Sequence, residues 1–109
     1  MSIMSKVLLL CRASTDESQL GLREQELHLR NYLDGYVSAP LDVQIITCAA
    51  GSGLPTQSIV ELGNPVDLIL VESLSRIARR SDLLLRFLEW ARRNGVRVVA
   101  VGDKFDSKS

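Results

Sequence analysis

Residues 6–11 read KVLLLC, an uninterrupted apolar run behind a single lysine, and no other stretch restricts the fold as strongly. A strand with one wet face alternates apolar and polar side chains. A run that does not alternate belongs to a strand buried on both faces, as in a parallel sheet covered by helices on either side. Residues 66–74 (VDLILVESL) and 96–101 (VRVVAV) repeat the pattern, and 43–48 (VQIITC) is rich in β-branched residues that favour strands.

The segments between these runs supply helices and loops. Within 19–36 the apolar residues Leu22, Leu29, Leu33 and Tyr36 recur at helical spacing and predict one stripe of an amphipathic helix. Gly35 weakens its end, and Ala39-Pro40 forces an exit. AAGSGLP at 49–55 reads as a loop, followed by a short helix near 58–62 and a Gly63-Asn64-Pro65 break. A helix over 81–94 is signalled by Ser81 as its cap, Asp82 in its first turn and Gly95 after its end. Strands alternating with helices predict an α/β fold: three layers, a mainly parallel sheet of four to five strands, and right-handed crossovers. The strand of 66–74 is expected at its centre.

A chain of 109 residues makes one domain, 1–109, able to bury roughly 60 to 70 % of the surface that its unfolded form exposes. Its formal net charge is +0, so no overall field holds it on a polyanion, and any work on nucleic acid needs a local patch or a further segment. Cys11 and Cys48 are expected to be reduced thiols of a cytoplasmic protein. The opening MSIMSKVLLLC lacks a cleavage pattern and the roughly 20 apolar residues of a membrane span, so no membrane association is expected.

In open α/β sheets, ligands bind beyond the carboxyl ends of the strands, beside a switch in strand order. Ser14 lies just past the first strand, AAGSGL just past the second and SLSRIARR just past the third, so the three segments are expected to converge. Arg12 is a charge at the end of a buried strand. Arg76 and Arg79 share a face if 75–80 forms a helical turn, and guanidinium groups suit phosphate because they are always charged and bind its oxygens in pairs. RIARR also reads as a solvated, basic entry to a helix. Ser14 followed by Thr15 and Asp16 is equally turn and capping material. Gln25 lies between Leu22 and Leu29 on the apolar stripe, where an amide needs a partner, whether at a functional site or at a strand end. His28, the only histidine, is expected on the exposed face of the helix. No Cys/His cluster suggests a metal, and AAGSGLP lacks the lysine and spacing of a phosphate-cradling loop.

Taken in order, these segments resemble the catalytic domain of the serine recombinases, the resolvase and invertase family, along nearly the whole chain. LCRAST matches that family's aromatic-x-Arg-x-Ser-Thr strand end, with Arg12 and Ser14 in register. Gln25 in LREQELHL matches a glutamine of its first helix, Ser52-Gly53 its Ser-Gly loop, and SRIAR its Asp-Arg-Leu-x-Arg, which gives Arg76 and Arg79. The chain departs from the pattern at Leu10, which replaces the aromatic residue, and at Ser75, which replaces the aspartate. It also lacks an acid before the Ser-Gly loop and an arginine after it.

The resemblance implies a site-specific DNA recombinase in which Ser14 attacks a DNA phosphate and forms a 5′-phosphoserine link, with no cofactor. Arg12, Arg76 and Arg79 would clamp the phosphate oxygens, and Gln25 would orient the site. DNA is the implied partner. The family's long oligomerisation helix and DNA-binding region would lie beyond Ser109, so the full-length protein is expected to form a dimer or tetramer and this chain a monomer or weak dimer. The departures favour a rival expectation, a non-catalytic interaction domain with a decayed site. A small phosphate- or nucleotide-binding protein is a third.

Overall fold

A computed structural model describes residues 5–13, 21–36, 41–49, 53–63 and 66–108. Strand β1 (Ser5–Arg12) leads to helix α1 (Leu22–Tyr36), β2 (Leu41–Cys48), the short α2 (Thr56–Val60) and β3 (Leu68–Val71). One 3-10 turn (Leu74–Arg76) precedes α3 (Ser81–Arg93), β4 (Arg97–Ala100) and β5 (Phe105–Asp106). The sheet order is β2-β1-β3-β4-β5. The first four strands are parallel, and β5 runs antiparallel to β4 along the edge. The strand expected at the centre, β3, is there.

The absence of alternation in β1 has the expected cause. Leu8 and Leu10 join one core with Ile69, Val71, Phe87 and Ala91 on the α3 side. Val7, Leu9 and Cys11 join a second core with Leu29 and Leu33 of α1. Adjacent residues therefore enter opposite cores, and the domain has three layers. Burial raises the Cys11 thiol to about 11, so it stays protonated at neutral pH. Cys11 and Cys48 are both free.

Several local expectations shift. The apolar stripe of α1 consists of Leu29 and Leu33 with Gln25 in line, while Leu22 is exposed. The strand of 66–74 is shorter at both ends, since its ladder with β1 and β4 spans only Leu68 to Val71. Ser81 does not cap α3: it is the first helical residue, and Arg80 holds the extended cap position without a side-chain cap bond. Arg80 instead forms a two-bonded ion pair with Asp82 at 3.1 and 2.8 Å. Gly95 does end α3, with a φ of +69°. Val96 N–H then donates to Ala91 C=O at 2.8 Å and Gly95 N–H to Arg92 C=O at 3.2 Å, the pair of reverse bonds that a left-handed glycine permits. Strand β5, the fifth of the expected four to five, is tied to β4 by Arg97, whose Nε donates to Asp106 Oδ1 at 2.9 Å and holds that carboxyl down to about 2.

Among the described residues no helix is long and apolar enough to cross a membrane. Leu9→Ala should lower stability by about 2 to 5 kcal/mol, because the cavity opens in the packed core between the sheet and α1. Urea unfolding should show this as a lower midpoint. Leu27→Ala on the exposed face of α1, where the residue is 60 % accessible, should change stability by less than about 0.5 kcal/mol.

Candidate active site

The order β2-β1-β3 places the switch in strand order between β1 and β3, and Arg12 ends β1 at that point. Its backbone is held by Gln25, which is fully buried. Arg12 N–H donates to Gln25 Oε1 at 3.1 Å, and Gln25 Nε2 donates to Arg12 C=O at 2.9 Å. The amide continues the hydrogen-bonding of a strand where no further strand is available, which explains a polar residue on an apolar stripe. One residue later, Ala13 N–H donates to Cys48 C=O at 2.9 Å.

The Arg12 side chain gathers the loops. Its Nε donates to Arg76 C=O at 2.7 Å, Nη1 to Ala49 C=O at 3.1 Å and Nη2 to Gly53 C=O at 2.9 Å. The Nη2 group also lies 3.5 Å from Ile77 C=O. Arg76 answers from the other side, with Nη1 donating to Arg12 C=O at 3.2 Å. Each arginine therefore binds the backbone of the other. The segments following β2 and β3 meet at the guanidinium that ends β1.

Arg76 and Arg79 separate. The 3-10 turn stops at Arg76, so the expected helical face over 75–80 does not form. Arg76 is only 5 % exposed, whereas Arg79 is exposed. A cavity of about 260 Å³ lies over this corner, lined by Arg12, Gly53, Leu54, Ser75, Ile77, Ala78, Arg79, Arg80 and Leu83. Arg79 thus shares the cavity with Arg12, and Arg76 lies outside its lining. Among the described residues no hydrogen bond or ion pair holds the Arg79 side chain. Arg80 is a third cation there, although RIARR reads from its sequence as a solvated helix entry; its adjacency to Arg79 is the one signal in the sequence. Ser14 and Ser52 lie outside the described residues.

His28 is on the exposed face of α1, as expected, and is paired with Glu72 just past β3. Among the described residues no group of three or more His, Cys, Asp or Glu side chains is placed to hold a metal ion. The described side chains at the cavity include clustered guanidinium groups, which suit an anion with several oxygens.

Residues 7–109 match the family described as "Resolvase, N terminal domain". The N-terminal catalytic domain of TP901-1 integrase superposes with a TM-score of 0.74 at 21 % identity, over 96 % of this chain and 83 % of that one. A resolvase family site-specific recombinase from Streptococcus pneumoniae gives 0.68 at 26 %, over 96 % and 77 %. The C-terminal catalytic domain of ISC1926 TnpA, an IS607-like serine recombinase, gives 0.62 at 23 %, over 88 % and 67 %. No curated protein matches.

Gln25→Leu should cost about 1 to 3 kcal/mol, because it fills the space and leaves the buried Arg12 N–H without its acceptor. Amide exchange at Arg12 should accelerate in the variant. Unchanged protection there would show that Gln25 does not hold the strand end.

Proposed function

We propose that this chain, which belongs to the resolvase family of serine recombinases, acts as the catalytic domain of a site-specific DNA recombinase with Ser14 as its nucleophile. The observation that carries the proposal is the convergence of Arg12, Arg79 and Arg80 on one cavity at the sheet's switch point, with Arg76 buried beside it. Ser14 directly follows Ala13, whose backbone is pinned to β2.

In the proposed reaction the Ser14 oxygen attacks a DNA phosphorus atom. A 5′-phosphoserine bond forms as the bond to the 3′ oxygen breaks, and the leaving strand carries away a 3′-hydroxyl. Reversal after strand exchange reseals the DNA, and the phosphoserine link conserves the phosphodiester's free energy, so no nucleotide cofactor is required. Charge on the non-bridging oxygens becomes more demanding in the transition state, where fixed cations act most strongly. Arg79 is the accessible member of the proposed clamp. Arg76 and Arg12 add positive charge from beneath it, while their bonds to each other's carbonyls keep the loops in register. Gln25 positions Arg12. The full-length protein would act on DNA as a dimer or tetramer.

The test is a nicked suicide substrate carrying the protein's recombination site, from which the leaving strand diffuses away and traps the covalent adduct. The full-length protein should form an adduct at the 5′ end of the break, and Ser14→Ala should form none. Arg79→Ala should slow adduct formation by about 10² to 10³ without abolishing DNA binding. An adduct retained in Ser14→Ala places the nucleophile elsewhere. No adduct from the unmodified protein on its own site favours the non-catalytic rival, to which Ser75 in place of the family's aspartate already points.

A further inference from the structure

The 3-10 turn that carries Ser75 and Arg76 is braced by the turn that follows the neighbouring strand β4 at the same carboxyl edge of the sheet. Leu74 N–H, the first amide of that turn, donates to Asp103 Oδ2 at 2.7 Å. Asp103 lies 29 residues away in sequence, in the turn between β4 and β5. The same turn is fixed to the end of β3 by two backbone bonds, Val101 N–H to Val71 C=O at 2.9 Å and Gly102 N–H to Glu72 C=O at 2.7 Å. A side chain at Gly102 would meet Glu72 C=O at 2.8 Å, so glycine is what lets the two segments approach so closely. Lys104 then adopts a φ of +55°, which sends the chain back into β5. Three consecutive positions of the turn thus bind three positions at the end of β3.

We infer that Asp103 is a positioning residue for the recombinase site: its carboxylate fixes the start of the 3-10 turn and thereby the placement of Arg76 against Arg12. The assignment rests on the function proposed above. An N-terminal amide of a turn has no partner within the turn itself, and a carboxylate satisfies it with a charge-assisted bond. Without that bond the corner is free to pivot about Glu72. Arg76 then loses its register with Arg12 C=O, and Arg12 Nε loses its register with Arg76 C=O, although neither guanidinium has been altered. The partner of Asp103 is a backbone amide that no sequence pattern marks.

Two measurements on the full-length protein separate this inference from the function it rests on. Amide exchange reads the brace without DNA: Asp103→Ala should accelerate exchange at Leu74 by about tenfold or more, the loss expected for one hydrogen bond to a charged group, with the urea midpoint of the domain little changed. Asp103→Asn, which keeps an oxygen acceptor, should restore most of the protection. Unchanged exchange at Leu74 in Asp103→Ala overturns the inference whatever the protein does to DNA. Adduct formation on the nicked suicide substrate reads the consequence. Asp103→Ala should slow the single-turnover rate by about tenfold at saturating DNA, with the half-saturating DNA concentration unchanged, and Asp103→Asn should recover it. In an Arg76→Ala background, Asp103→Ala should cause no further slowing, because it acts through the segment that Arg76 occupies. Full additivity of the two substitutions would overturn the inference. If the unmodified protein forms no adduct, the recombinase function fails, and the exchange result alone then decides whether Asp103 braces the turn.

Discussion

Two arginines at the carboxyl edge of the sheet exchange hydrogen bonds through their backbones, and the site's architecture depends on this exchange. Arg12 Nε reaches Arg76 C=O, and Arg76 Nη1 reaches Arg12 C=O. Placing like charges side by side in a largely buried corner is unfavourable unless each finds acceptors. Carbonyl groups at the ends of parallel strands and in the following loops are suitable acceptors, because the ladder no longer uses them. Ala49 and Gly53 add two more. The result is a corner that concentrates positive charge against backbone carbonyl groups.

That corner can form only because the sheet below it is rigid. Leu8, Leu9, Leu10 and Cys11 are completely buried. Alternate residues lock into cores above and below the sheet, so the end of β1 has little freedom to shift in either direction. Gln25 extends this constraint by one residue, to Arg12, and the Ala13 to Cys48 bond by another. Packing therefore fixes the chain up to the residue before Ser14. Polar contacts then determine what is presented to an anion.

How much of this was legible differs from element to element. The unbroken run KVLLLC led to a strand covered on both faces and hence to three layers, since burial leaves a direct imprint on composition. Gly95 marked the end of α3 because a left-handed backbone position favours one residue type. Gln25 was visible as an anomaly on its stripe, but its partner was not, because the backbone of Arg12 belongs to another element. The separation of Arg76 from Arg79 was hidden for a different reason. Spacing suggests a shared helical face, yet the turn ends at Arg76 once β3 stops at Val71 and Asp103 binds Leu74. Ser81 looked like a cap, but Arg80 occupies that position and is held by Asp82. Contacts from side chain to distant backbone leave almost no trace in a single sequence, and they build most of this site.

The crossed pair can be tested directly by the exchange rate of the Arg12 side-chain Nε–H, followed by nitrogen-15 NMR in the DNA-free protein. The account predicts a resolved Arg12 Nε–H that exchanges with water far more slowly than the Nε–H of Arg92, which lies on the exposed face of α3 with 74 % of its side chain accessible. It further predicts that this protection weakens when Gln25→Leu loosens the end of β1. An Arg12 Nε–H exchanging as fast as that of Arg92 would contradict the account, because Arg12 would then not be bound to the backbone of Arg76 and the site would lack its organising contact.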